Sequence, residues 1–208
     1  MGEMIEWYTK AAEQGDAEAQ CNLGVFYALG IGAKQDWQKA VPWFAKAAEQ
    51  GHAAAQYHLG NCYYFGEGVE QDYQRAVEWF TKAAEQGDAA AQYNLGRCYE
   101  NARGVKQDWQ KSVEWYAKAA EQGLAIAQCN LGVSYANGQG VKQDWQIAVE
   151  WYTKAAEQGL AAAQCILGVI YEKGEGVEQD LQKAIEWYAK AAERGNEDAQ
   201  EALKRLRK

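Results

Sequence analysis

DAAAQYNLGRCYENARGVKQDWQKSVEWYAKAAEQG, residues Asp88–Gly123, decides the fold of this 208-residue chain, because it is one copy of a unit that recurs along the whole sequence. Trp7, Trp43, Trp79, Trp115, Trp151 and Trp187 stand 36 residues apart, and Leu23, Leu59, Leu95, Leu131, Leu167 and Leu203 keep the same spacing. A fixed period of roughly 20–50 residues marks a repeat array. Such an array has no central core and grows by adding units.

Each copy reads as two helices. In the first half, Ala91, Leu95, Cys98 and Tyr99 fall at i, i+4, i+7 and i+8, one face of a helix (helix A). Asp88 precedes it as N-cap, as do Asp16 and Asn196 in their copies, and the cap weakens where His52, Leu124 and Leu160 take that position. In the second half, Trp109, Ser112, Val113, Tyr116, Ala119 and Ala120 trace another stripe (helix B), opened by Asp108 and closed by Gly123. The expected divisions are a helix B alone over 1–15, full repeats over 16–51, 52–87, 88–123, 124–159 and 160–195, and a capping helix over 196–208.

Several residues depart from simple helix chemistry. Gly24, Gly60, Gly96, Gly132 and Gly168 lie inside helix A, each costing about 0.8–1 kcal/mol against alanine. Close helix approach offsets that cost, with the alanine pairs Ala47–Ala48, Ala83–Ala84, Ala119–Ala120 and Ala155–Ala156 as the expected partner surface. Pro42 replaces a recurring glutamate and is expected to kink or loosen its helix. The G-x-G-V-x-Q-D segments, as in Gly66–Asp72, read as turns needing positive φ, and Ala102 in place of the first glycine implies strain. A phosphate cradle is disfavoured there, since no strand precedes the loop and no Gly-Lys-Ser/Thr follows. Glu78 and Lys82, with their counterparts in later copies, are i, i+4 pairs expected on the outer face of helix B.

A formal net charge of −8 argues against nucleic acid, whose phosphates call for a basic surface. No apolar run approaches the roughly 18 residues of a membrane span. Cys21, Cys62, Cys98, Cys129 and Cys165 are expected to be free packing thiols, because equivalent residues of stacked helices lie about 8–10 Å apart, too far for disulfide geometry. Free thiols favour a cytoplasmic setting. The chain begins inside a repeat, so a signal peptide removed upstream is also compatible with the sequence.

The pattern A-x-x-x-L-G-x-x-Y, then G-x-G-V-x-x-D, then K-A-x-x-W-Y-x-K-A-A-E-x-G resembles the Sel-1-like repeat, a relative of the tetratricopeptide repeat, over nearly the whole chain. The resemblance implies an all-α fold, a right-handed α/α superhelix (solenoid) of 36-residue helix-turn-helix repeats whose A helices line a concave groove. It also implies a scaffold or adaptor that binds a protein or peptide, with no common enzymatic activity and no cofactor. Some bacterial members carry a disulfide between the helices of one repeat, from cysteines close in sequence. No such pair occurs here, which disfavours that subgroup and a periplasmic role.

If helix A lines the groove, its variable positions are candidate contacts. One position reads Asn22, His58, Asn94, Asn130, Ile166, and another, three residues on, reads Val25, Asn61, Arg97, Val133, Val169. These are either solvated positions free to drift or a polar centre of His58, Asn61, Asn94 and Arg97 within an apolar surround, with Asn130 beyond it. In the second reading Arg97 forks onto a carboxylate and Asn94 and Asn130 pair with peptide amides, which suits an extended or C-terminal peptide. Catalysis is disfavoured: the only serines are Ser112 and Ser134, the only histidines His52 and His58, and the glutamates recur with the unit. A metal site is disfavoured on the same inventory. A third reading is a structural array that self-associates through its terminal helices, giving a monomer or a weak dimer. A natural gene with recent duplications and an engineered array both fit the low divergence between copies.

Overall fold

The computed structural model describes residues 2–32 and 34–206, with side chains from residue 5 onward. The Met1 and Met4 side chains and the last two residues of the expected capping helix, Arg207 and Lys208, lie outside the described residues. The chain forms two compact units, Met1–Gln107 and Asp108–Lys208. The first holds α1 (Gly2–Glu13), α2 (Ala17–Leu29), α3 (Trp37–Glu49), α4 (Ala53–Phe65), α5 (Tyr73–Glu85) and α6 (Ala89–Glu100). The second holds α7 (Trp109–Glu121), α8 (Ala125–Asn137), α9 (Trp145–Glu157), α10 (Ala161–Lys173), α11 (Leu181–Glu193) and α12 (Glu197–Leu206). No strand occurs among the described residues, and the helices come in consecutive A–B pairs.

Local chemistry sets the helix ends. Asp36, Asp72, Asp108, Asp144 and Asp180 each accept a hydrogen bond from the backbone N–H three residues on, at 3.0–3.1 Å, satisfying one of the unpaired donors that open a B helix. Asp16 and Asp88 do the same for α2 and α6. His52 caps α4 through Nδ1, whereas Leu124 and Leu160 supply no side-chain cap. The A–B turns are closed by Gln35, Gln71, Gln107, Gln143 and Gln179, whose side-chain amides donate to carbonyls seven residues earlier at 2.7–2.8 Å. Ala102 holds φ +54°, the only non-glycine residue with positive φ among those described, so the left-handed turn persists there at a steric cost of about 1–2 kcal/mol.

The glycines of helix A are notches for aromatic rings. A Cβ placed on Gly24 or Gly60 would stand 2.6 Å from the ring of Phe44 or Phe80, and one on Gly132 or Gly168 would stand 2.8 or 2.5 Å from Tyr152 or Tyr188. These rings are 0–3% exposed. The expected partner, an alanine pair, is therefore corrected. A ring fills the space, and the alanines are buried core residues in their own right. Pro42 lies within α3, Trp37–Glu49, on its exposed side, where its ring removes one backbone donor. Among the described residues the expected Glu–Lys pairs of helix B do not form. Lys46, Lys82, Lys118, Lys154 and Lys190 instead hold their ammonium groups 4.0–4.2 Å from the ring centroids of Trp43, Trp79, Trp115, Trp151 and Trp187. At that distance the ring quadrupole outcompetes a fully solvated carboxylate four residues away.

Consecutive helices are tied by buried amides. Gln20, Gln56, Gln92, Gln128 and Gln164, all 4–5% exposed, donate to the carbonyls of Ala12, Ala48, Ala84, Ala120 and Ala156 at 3.0–3.1 Å. The side-chain oxygens of Gln20, Gln56 and Gln128 in turn accept from Gln50, Gln86 and Gln158 at 2.7–2.8 Å. Arg194 stands where that donor would be for Gln164, whose Oε1 is buried without a partner among the described residues. All five cysteines are free, and four of them are buried. Burial pushes Cys21, Cys98 and Cys129 up to about 11 and Cys62 to about 12, so they are packed as thiols.

Helix α12 is pinned to the second unit by Arg205, which donates to both oxygens of Glu172 at 2.6 and 2.8 Å while the Tyr188 hydroxyl donates to Oε2 at 2.8 Å. The Arg205 hydrogen bond, with help from Tyr188, holds the Glu172 carboxyl below its usual value. An acid depressed in the folded state stabilises the fold above its unfolded pKa, and that contribution disappears as pH falls through the folded value. Arg205→Ala is therefore expected to lower stability slightly at pH 7, as removal of a solvent-screened ion pair does. The deficit should close in urea titrations repeated below pH 4.5, and a pH-independent deficit would contradict the ion pair. Ser112, 1% exposed and with no hydroxyl partner among the described residues, takes a position held by Ala40, Ala76, Ala148 and Ala184 in the other copies. Ser112→Ala is expected to raise the urea-derived stability by about 1 kcal/mol, from the orphaned hydroxyl and the helix preference of alanine. A loss of stability would show that the hydroxyl is bonded.

Candidate functional site

Helix A carries the candidate residues because its buried face is fixed by Leu59, Gly60 and Cys62 in α4 and by Leu95, Gly96 and Cys98 in α6. The residues one step round the helix, His58 and Asn61 on α4 and Asn94 and Arg97 on α6, are half-buried. The structure brings Asn61 and Asn94 together: Asn94 Nδ2 donates to Asn61 Oδ1 at 3.0 Å, joining α4 to α6. Each amide has one half engaged by this bond. Among the described residues Arg97 makes no ion pair, and its guanidinium lies 5.8 Å from the Tyr93 ring centroid. Asn130 belongs to the second unit, on α8, where its backbone carbonyl accepts from Ser134 Oγ at 3.1 Å.

His58 stacks on Phe44, ring centroids 5.0 Å apart and planes 25° from parallel. Burial lowers its pKa from 6.5, the nearby Asp88 carboxylate offsets part of that shift, and His52 adds to it. The imidazole is therefore neutral at pH 7 and behaves as an aromatic wall with one donor and one acceptor.

That wall belongs to a cavity of about 210 Å³ in the first unit, lined by Val25, Ala28 and Leu29 of α2, Trp37 and Phe44 of α3, and His58, Asn61 and Phe65 of α4, with Glu67 from the following turn. Leu29 and Phe65 are 65% and 60% exposed, although apolar. Sequence reasoning passed over both. The signal was available, because their repeat position carries Asn101, Asn137 and Lys173 in the other copies. It also passed over Arg205, which continues the series Val25, Asn61, Arg97, Val133, Val169 by one more period and lines a second recess with Val169 and Tyr188.

Among the described residues no group of three or more His, Cys, Asp or Glu side chains could hold a metal ion. Ser112 is buried, and the Ser134 hydroxyl is engaged with a backbone carbonyl. No described helix is long and apolar enough to cross a membrane.

The Sel1 repeat family model matches residues 5–16, 17–52, 53–88, 89–124, 125–160 and 161–196. Among solved structures, a protective antigen present in uropathogenic Escherichia coli strains is 42% identical with a TM-score of 0.91, the match covering 97% of this chain and 43% of the antigen. This chain thus spans less than half the length of that antigen. A Sel1 repeat protein from Oxalobacter formigenes is 37% identical over 91% of this chain and 76% of its own, with a TM-score of 0.86. A sel1 repeat protein from Klebsiella pneumoniae subsp. pneumoniae is 26% identical over 98% and 99% of the two chains, with a TM-score of 0.61. No curated protein matches the sequence. Family matches that run without a break from residue 5 to residue 196 establish that the chain belongs to the Sel1 repeat family, whose members are generally protein-interaction scaffolds.

Proposed function

We propose that this protein is an interaction module that holds an extended segment of a partner protein against the A-helix face of its first unit. The observation that carries the reading is the Asn94–Asn61 hydrogen bond. It engages the Asn61 carbonyl and one N–H of Asn94, leaving the Asn61 amide N–H groups as donors and the Asn94 carbonyl as acceptor. A peptide unit offers one acceptor and one donor in return. Because the two side chains already fix each other, little rotamer freedom is lost when a ligand arrives.

Arg97 supplies the charge. Its guanidinium is free of an ion pair among the described residues, and its fork matches a carboxylate, whether a side chain or the C-terminus of the bound segment. Neutral His58 adds an aromatic surface beside Asn61. Asn130, at the Asn94 repeat position on α8, is the equivalent candidate amide of the second unit taken by itself. The residues assigned here bind and orient, and none is given a catalytic role. The protein acts as a monomer or a weak dimer.

A pull-down with the full chain, quantified against Arg97→Ala, Asn94→Ala and the double variant, tests the reading. Each single change is expected to weaken capture of the main partner at least tenfold, about 1.4 kcal/mol, with thermal unfolding of the free protein little changed. Capture that survives the double variant unchanged would remove Asn94 and Arg97 from the binding surface.

A further inference from the structure

The cavity in the first unit opens beside Ala28, a small residue that this repeat position shares with Ala136 of the second unit. Ala28 stands at a repeat position that carries Tyr64 in the next copy. Tyr64 is 5% exposed and packs its ring 6.1 Å from that of Phe80, the counterpart of Phe44. Arg103 then covers Tyr64, hydrogen-bonding its hydroxyl and setting its guanidinium 5.3 Å from that ring and 5.5 Å from Tyr73. The first copy lacks both the ring and the cation. Ala28 leaves the space above Phe44 open, and Glu67 occupies the repeat position of Arg103. Among the described residues the Glu67 carboxylate has no ion-pair partner.

The void has the size of what is missing. An apolar cavity of about 150 Å³ admits benzene, so one of about 210 Å³ takes a single aromatic side chain. It falls below the roughly 300–1,000 Å³ of a small-molecule site. Leu29 and Phe65, exposed and apolar, extend the contact for such a ring, while Glu67 and the net charge of −8 favour a cation next to it.

We infer that this cavity is an anchor site for an aromatic side chain of a partner's peptide segment, the ring seated on Phe44 where Tyr64 sits on Phe80, with an adjacent lysine or arginine paired to Glu67. The inference rests on the reading of the protein as a peptide-binding module and adds the chemistry of the ligand.

The test is a random dodecapeptide library displayed on phage and selected on the full chain, followed by anisotropy titration of an enriched, labelled peptide. Enrichment of Phe, Tyr or Trp within two positions of Lys or Arg is expected. Ala28→Tyr, which rebuilds the arrangement of the second copy, should weaken the peptide at least tenfold. Leu29→Ser, at an exposed position that cannot disturb the core, should weaken it severalfold. Glu67→Gln should flatten the salt dependence of binding. Enrichment of nothing, or of sequences without an aromatic residue, overturns the inference. So does peptide binding that is lost in Arg97→Ala and Asn94→Ala but unchanged in Ala28→Tyr and Leu29→Ser, an outcome that leaves the broader reading intact. Loss in the cavity variants with no effect of Arg97→Ala or Asn94→Ala supports the anchor and removes the Asn94–Arg97 surface. A concentration-dependent dimer in light scattering that both cavity variants abolish would make a second copy the occupant and overturn the partner assignment.

Discussion

Seating an aromatic ring on a glycine is the contact on which the rest of this structure depends. The rings of Phe44, Phe80, Tyr152 and Tyr188 lie where a side chain on Gly24, Gly60, Gly132 or Gly168 would have to go. The contact sets how closely the two helices of a pair approach, and a ring fills that interval without a void. A glycine in mid-helix is a local loss of about 1 kcal/mol that only tertiary packing can offset. The helix pair is thus a unit of packing more than of propensity, and the neighbouring positions inherit their roles from it. His58 stacks on the Phe44 ring, and that ring is held on Gly24.

Uniformity of the core gives the few irregular positions their meaning. Buried glutamines, aspartate caps and turn glutamines repeat with little change, so the backbone is supplied in near-identical pieces. Differences are concentrated where a side chain can change without disturbing the ring and its glycine. Tyr64 with Arg103, Glu172 with Tyr188 and Arg205, and Ala28 with an open space are three answers to one local question, namely what covers the outer edge of the seated ring. Two of the answers are internal. The third leaves the place to another molecule.

Much of this was legible in the amino-acid order. The period placed every helix, and Asp88, Asp108 and Gly123 announced their ends, because capping is decided by residues within one turn. Strain at Ala102 followed from the missing glycine. Partners across space were less legible. The contact of Gly24 with Phe44, twenty residues away, is invisible to helical periodicity, and the alanine pairs were a reasonable substitute that the packing did not adopt. Lys82 was assigned to Glu78 by spacing, yet Trp79 competes for it at the same range. Of the candidate site, the nearness of Asn61 and Asn94 follows from their places in adjacent repeats, whereas their hydrogen bond and the cavity beside Ala28 depend on packing across space. An alanine among alanines carries no signal until the space around it is seen.

One irregularity lies away from the candidate site. Three described copies close the buried amide with a glutamine from the next helix, but at Gln164 the donor position holds Arg194, and the oxygen is left unanswered. In a linear array each element is held by its neighbours alone, so resistance to being pulled apart is set junction by junction. The junction between α10 and α11 lacks the crosslink that Gln50, Gln86 and Gln158 supply elsewhere. That junction is therefore held by packing of its side chains, with one buried acceptor left unanswered.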